Sequence, residues 1–241
     1  MGVASLSTRP HDLIQLKPGN QLIYSLDTPI PDWIDDSLIK FPFVVVRRQR
    51  ELPCGTTLSA SQLMKLVPVG IRGVERSQRY GAWLQLGSAM NENIIQPEAL
   101  VRQRSWEHLP FSRQQLPVIQ ALKQVEPRMN QEFTKWGPTG STGFELATRL
   151  VTIKETSDLD MVLRLNHEYP YKNARDLVNE LKKLPVHCDI QVETSYGSFA
   201  LEEYATNKGR KLLLKTNHGP ILVGNPWKVS QLEMQKLKGV E

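Results

Sequence analysis

The sequence predicts an α+β protein in two parts, a β-rich N-terminal accessory domain over residues 1–115 and a mixed-sheet domain with helices over 116–241. Three observations predict it. The first half is dense in Pro and Gly and carries short β-like runs. Around Leu116 apolar residues take up helical spacing. Beyond residue 140, segments that alternate apolar and polar residues are interleaved with helix-like stretches.

The elements follow in order. Phe43–Val46 and Leu66–Ile71 read as strands. Val118, Leu122, Val125, Met129 and Phe133 recur every three or four residues, so they predict a helix, with Pro127 as an interruption and Gly137-Pro138 as its stop. A short helix over Phe144–Thr148 is expected to be capped by Ser141 or Thr142. In Ser157–Leu165, Leu159, Met161, Leu163 and Leu165 share one strand face, which leaves Asp158 and Asp160 together on the other. Asn173 and Asp176 resemble a capping pair for a helix burying Leu177, Val178, Leu181 and Leu184. Cys188–Glu193 alternates again and adds Asp189 as a third carboxylate. A helix from Ser198 to about Thr206, a hairpin of 212–214 with 221–223 around Asn217-His218-Gly219, and a C-terminal helix complete the expectation.

The chain has 241 residues, of which 40% are hydrophobic and 23% charged. Those values fit a folded globular protein and exclude a disordered chain. No stretch approaches the ~20 apolar residues of a membrane helix, and the opening lacks the order of a secretory signal, so a cytoplasmic location with no membrane partner is expected. Cys54 and Cys188 stand far apart without metal-ligand spacing, which argues against structural zinc and a disulfide framework. The net charge of +5 is concentrated between Lys40 and Tyr80, where eight basic residues face two acidic ones. Such a field suits an anionic partner. Nucleic acid is not the expected one, because aromatics are only 7% and no nucleic-acid-binding signature accompanies the charge.

Two aspartates at i and i+2 on a strand offer oxygens to one side, as a hard divalent cation requires. Gly140-Ser141 at a helix start offers backbone N–H groups where a chain can approach a phosphate closely. Carboxylates plus a phosphate cradle are the minimal equipment of phosphoryl or nucleotidyl transfer. Gly140-Ser141, then Asp158-Leu159-Asp160, then Asp189 on a second strand resemble the nucleotidyltransferase superfamily related to DNA polymerase beta. The interval from Ser141 to Asp158 is long for that pattern, which suggests a separate task for the loop between.

The resemblance narrows with Arg9-Pro10-His11-Asp12-Leu13, Pro68-Val69-Gly70-Ile71-Arg72-Gly73, Gly140–Thr148 and Ser157–Asp160. Together these are similar to the malonate decarboxylase holo-[acyl-carrier-protein] synthase family, phosphoribosyl-dephospho-CoA transferases, over nearly the whole chain. The resemblance implies a polymerase-beta-like C-terminal domain. It also implies transfer of a phosphoribosyl-dephospho-CoA group from 2′-(5″-triphosphoribosyl)-3′-dephospho-CoA to a serine of the apo acyl carrier subunit of malonate decarboxylase, with release of pyrophosphate. Asp158 and Asp160 would bind Mg²⁺, or Mn²⁺ in its place, Asp189 would be the third carboxylate and base, and Gly140 and Ser141 would hold the pyrophosphate. Arg72, Arg76 and Arg79 would clamp phosphates or face the carrier; they share a side only if their segment is helical. Other acceptors remain as alternatives, namely a citrate lyase carrier or a protein hydroxyl receiving AMP, as does a non-catalytic module that binds carrier or RNA.

Several residues carry a plainer reading beside a functional one. His11 fits a ligand contact or a turn that anchors the N-terminus. His187-Cys188-Asp189 suggests nucleophilic catalysis, but strand neighbours point to opposite faces. Trp83, Trp106, Trp136 and Trp227 suit adenine stacking or core packing. Lys154 and Lys215 suit phosphate contacts or plain exposure.

Overall fold

The computed structural model describes residues 8–18, 20–48, 66–73, 75, 77–86, 94–207, 209–230 and 233. Cys54, Arg76 and nearly all of the expected C-terminal helix lie outside these. The fold is mixed α and β with two sheets. The chain divides into two compact units, Met1–Gln96 and Pro97–Glu241.

The N-terminal unit is a six-stranded sheet built from β1 (Leu13–Gln15), β2 (Leu22–Ile23), β3 (Phe43–Val46), β4 (Leu66–Arg72), β5 (Arg79–Gln85) and β6 (Ile94–Ile95), in the order β2-β5-β4-β3-β1-β6. All its pairings are antiparallel. Alternation along β4 buries Val67, Val69 and Ile71 against Ile14, Val44 and Leu84, while Ile34 of helix α1 (Trp33–Lys40) closes the same core. His11 adopts φ +73° and its N–H donates to the Val46 carbonyl, while the buried Asp12 carboxylate accepts from the Arg9 N–H. The turn that anchors β1 is thus the role the structure gives this segment.

The C-terminal unit holds helices α2 (Pro97–Arg102), α3 (Phe111–Gln114), α4 (Pro117–Glu132), α5 (Gly140–Thr148), α6 (Tyr171–Leu181) and α7 (Leu201–Thr206). Its sheet runs β12-β11-β10-β9-β8-β7, where β7 is Trp136–Pro138, β8 Leu159–Arg164, β9 Cys188–Glu193, β10 Ser198–Ala200, β11 Leu212–Thr216 and β12 Gly219–Val223. Among the described residues only β8 and β9 are parallel; helix α6 supplies the crossover that a parallel pair needs.

The boundary expected at residue 115 moves to Gln96/Pro97. The reason is steric: a Cβ on Gly137 would collide with the Pro97 carbonyl, so α2 lies directly on β7 and belongs with the second core. Helix α4 also departs from expectation, since it runs through Pro127. Proline there removes a bond to the Lys123 carbonyl at a cost of ~3 kcal/mol. Pro127 is on the exposed side, and burial of Val118, Ile119, Leu122, Val125 and Met129, each contributing roughly 1.5–3 kcal/mol, outweighs that cost. The helix ends at Glu132, where Phe133 turns extended to pack edge-on against Tyr169 with ring centroids 5.3 Å apart. Gly137-Pro138 is strand, paired with Val162 and Met161.

Three smaller expectations are corrected. Helix α5 starts at Gly140 with Thr139 as N-cap, so Ser141 and Thr142 lie in its first turn. Helix α6 starts at Tyr171 behind Pro170, which places Asn173 and Asp176 inside it and Leu184 beyond its end. Ser198–Ala200 pairs with β9 as a strand before α7 begins, because Phe199 points into the core against Tyr204 and Trp227. The 212–223 hairpin forms as expected.

At the far end of β8, the Arg164 guanidinium pairs with the Glu98 carboxylate, both nearly buried. Removing one partner of a buried pair strands the other charge. Arg164→Met is therefore expected to lower stability by about 3–5 kcal/mol, read as a shift in the urea unfolding midpoint at unchanged m-value.

Candidate active site

The site grows out of β8 and β9. Their parallel register sets Asp160 beside Asp189, and register partners in a parallel pair project to the same face. Alternation then turns Leu159, Met161, Cys188 and Ile190 to the opposite face, where residues of α6 and α7 line a cavity with Cys188 and Ile190. Asp158 immediately precedes β8 and is exposed; Asp160 and Asp189 are half-buried. The sequence places Asp158 and Asp160 on one side of the strand, and the fold adds Asp189 to it.

The first turn of α5 seats on this face. Gly140 has φ +58°, and a Cβ at that position would collide with Oδ2 of Asp160. Glycine is thus required twice, for its left-handed backbone and for the space the carboxylate occupies. Just before it, the Thr139 N–H donates to the Asp160 carbonyl at 2.8 Å. Gly140, Ser141 and Asp160 are therefore brought together, with Asp189 one strand away.

Three carboxyl groups do not close into a ready-made cage: among the described residues, no group of three or more His, Cys, Asp and Glu is close enough to hold a metal ion. The donor chemistry nonetheless fits a hard cation. Two carboxylates side by side, with a third two residues upstream, are all oxygen donors on an accessible strand end.

On the reverse face, a cavity of about 320 Å³ is lined by Val178, Leu181, Ile190, Leu201 and Cys188. Burial, with the charges of Asp189 and Asp160 adding to it, pushes the Cys188 thiol up to about 12. His187 is exposed. A neutral thiol turned away from Asp189 gives the His187-Cys188-Asp189 triplet no arrangement for nucleophilic catalysis.

Arg72 and Arg79 belong to the N-terminal unit and are direct cross-strand partners at the end of the β4–β5 hairpin. They share a face after all, in a hairpin rather than a helix. Sequence reasoning missed Arg47, which lies over Gly70 and Gly81 of the same sheet; a Cβ on Gly81 would collide with its Nη1. The signal was available as a glycine pair facing across two strands. Trp83, Trp106, Trp136 and Trp227 are all buried and serve the two cores. Lys154 and Lys215 are exposed.

Also missed was a hub behind α5. Glu145, 1% exposed, accepts from Arg113 Nε at 2.8 Å and Nη2 at 2.7 Å, and from the Thr152 and Ile153 N–H groups at 2.7 Å each. A glutamate amid the apolar run Gly143-Phe144-Glu145-Leu146 was the sequence signal.

A two-unit α+β protein that holds paired carboxylates against a glycine-initiated helix has the makings of a group-transfer enzyme for a charged substrate. Family comparison makes this particular. Residues 105–226 match the phosphoribosyl-dephospho-CoA transferase MdcG C-terminal domain, and residues 9–91 match the MdcG N-terminal domain. Curated relatives called phosphoribosyl-dephospho-CoA transferase include one from Pseudomonas putida at 37% identity over 92% of this chain and 97% of its own. Another, from Pseudomonas syringae pv. tomato, is 36% identical over 92% and 95%, and one from Klebsiella pneumoniae strain 342 is 32% identical over 92% and 98%. The chain belongs to this family of transferases. No solved structure matches. No helix among the described residues is long and apolar enough to cross a membrane.

Two outcomes follow from the geometry. Gly140→Ala is expected to cost about 1–2 kcal/mol from the left-handed backbone alone, beyond the displacement of Asp160, measured by urea unfolding. Because its ionisation is pushed up, Cys188 is neutral at pH 8. In a Cys54→Ser background with chelator, its reaction with a soluble disulfide reagent should be more than about a hundredfold slower than that of a free cysteine, and should quicken with each pH unit above 8.

Proposed function

We propose that this chain moves the phosphoribosyl-dephospho-CoA group of 2′-(5″-triphosphoribosyl)-3′-dephospho-CoA onto a serine of the apo acyl carrier subunit of malonate decarboxylase. The observation that carries the reading is the seat of Gly140 on Asp160, with Asp189 in register beside it. It supports a reaction centre in which phosphate-facing N–H groups and carboxylates act on one substrate atom.

In this reading the serine oxygen attacks the α-phosphorus, the new O–P bond forms in line with the breaking bond, and pyrophosphate leaves. Asp189 takes the hydroxyl proton, being the carboxylate on the strand next to Asp160. The N–H groups of Gly140 and Ser141, at the positive end of α5, hold the departing phosphates and favour the charge that develops on them. Asp158 and Asp160 would hold Mg²⁺, or Mn²⁺, which when bound lowers the cost of charge on the triphosphate oxygens. Arg72, Arg76 and Arg79, with a planar fork suited to carboxylates and phosphates, would meet phosphates or an acidic carrier surface. The basic excess of the chain supports an anionic substrate and partner.

Intact-mass analysis of the apo carrier subunit after incubation with enzyme, Mg²⁺ and triphosphoribosyl-dephospho-CoA tests the reading. The expected product is heavier by one phosphoribosyl-dephospho-CoA group, and Asp160→Ala should reduce its rate by at least about 10³-fold while remaining folded by circular dichroism. An unmodified carrier with the wild-type enzyme would refute the acceptor; full activity in Asp160→Ala would refute the site.

A further inference from the structure

The stretch between Ser141 and Asp158 contains a device that the reaction itself does not explain. After α5, Arg149 takes the left-handed conformation at φ +64° and its Nη1 donates to the Ser105 carbonyl at 2.9 Å, so the chain reverses sharply. Thr152 then returns to the start of the helix, where its hydroxyl donates to the Ser141 carbonyl at 2.9 Å. One residue on, Arg113 Nη2 donates to the Ile153 carbonyl at 2.8 Å while also gripping Glu145. Ile153 is buried, and from Lys154 onward the chain is largely exposed until β8 begins.

Glu145 is central to this arrangement. Its carboxylate receives two bonds from one guanidinium and two from consecutive backbone N–H groups, which satisfies its lone pairs in a nearly water-free position. Four bonds to a charged group in a buried setting hold α3, α5 and the 149–153 loop to one geometry. That geometry ends at Ser141 on one side and leads into Asp158 on the other.

We infer that Glu145, Arg113 and Thr152 are positioning residues for the transfer reaction: they hold the Gly140-Ser141 turn at a fixed height over Asp160 and fix the start of the loop that leads into Asp158. None of them needs to touch substrate. The inference rests on the reading that Gly140, Ser141 and the aspartates form the reaction centre. A shift of about 1 Å in such a centre lowers turnover by up to about 10²-fold.

The test uses Thr152→Val and Thr152→Ser in the full chain, with Arg113→Lys and Glu145→Gln beside them. Thr152→Val removes the bond to Ser141 and keeps the side-chain shape, so kcat should fall about tenfold or more while KM for the carrier stays within about twofold and Tm within a few degrees. Thr152→Ser should restore most of kcat. Arg113→Lys, which keeps the charge but not the fork, should lower kcat in the same way. Hydrogen exchange gives a readout independent of activity, in which the 140–144 amides exchange faster in Thr152→Val than in wild type. Wild-type kcat and exchange in Thr152→Val, or failure of Thr152→Ser to restore kcat, would overturn the proposal. Should Glu145→Gln fail to fold, the threonine pair still decides. If the wild-type enzyme transfers nothing to the carrier, the reaction fails, and unchanged exchange in Thr152→Val then refutes the positioning role separately.

Discussion

Parallel pairing of β8 with β9 puts two carboxylates one strand spacing apart, and the C-terminal unit is arranged around that constraint. Like charges placed directly across neighbouring strands are unfavourable. The register that creates this cost is set by the other face. Leu159, Met161 and Leu163 beside Ile190 and Val192 form a continuous apolar layer, and a slip of one residue would take that layer off its own core face. Core packing thus forces the charged pair into existence. The crossover through α6 joins the two strands.

The two units differ in how they place some of their charged side chains. In the N-terminal unit, paired glycines leave a flat strip of sheet for Arg47, and the next pair outward on that face is Arg72 with Arg79. A β-sheet face is an economical platform for guanidinium groups, since their stems lie along the strands while their heads stay hydrated. The C-terminal unit sets Asp160 and Asp189 side by side on its sheet and holds two of its arginines in ion pairs, Arg113 with Glu145 and Arg164 with Glu98.

Much of this was legible in the sequence. Period-two alternation located β8 and β9, and helical spacing located α4 and α6. The order of motifs grouped Gly140-Ser141 with Asp158, Asp160 and Asp189 in one expected site, without showing that Gly140 lies against the Asp160 carboxylate. What resisted reading has identifiable causes. Pro127 and Gly137-Pro138 are local signals that tertiary packing overrode, since burial along α4 exceeds the cost of one proline and Phe133 had a partner in Tyr169. Ser198–Ala200 joins β9 because a sheet partner was at hand, which no local window reveals. Arg72 and Arg79 became neighbours through a turn, a relation that one-dimensional spacing assigns to helices alone. The Glu145 hub joins residues 32 and eight positions apart, so only its buried charge was visible beforehand.

The hub also changes what the distance between the two motifs means. Because the chain is fastened at Thr152 and Ile153, the residues from Lys154 to Ser157 span a short gap between two fixed points, largely on the surface. Lengthening that gap alters neither fixed point, and the entropy of closing a loop rises by only about 0.6 kcal/mol for each doubling of its length. The number of residues between Ser141 and Asp158 is therefore a weakly constrained quantity, and the loop can be lengthened on its surface side at little cost to the fold.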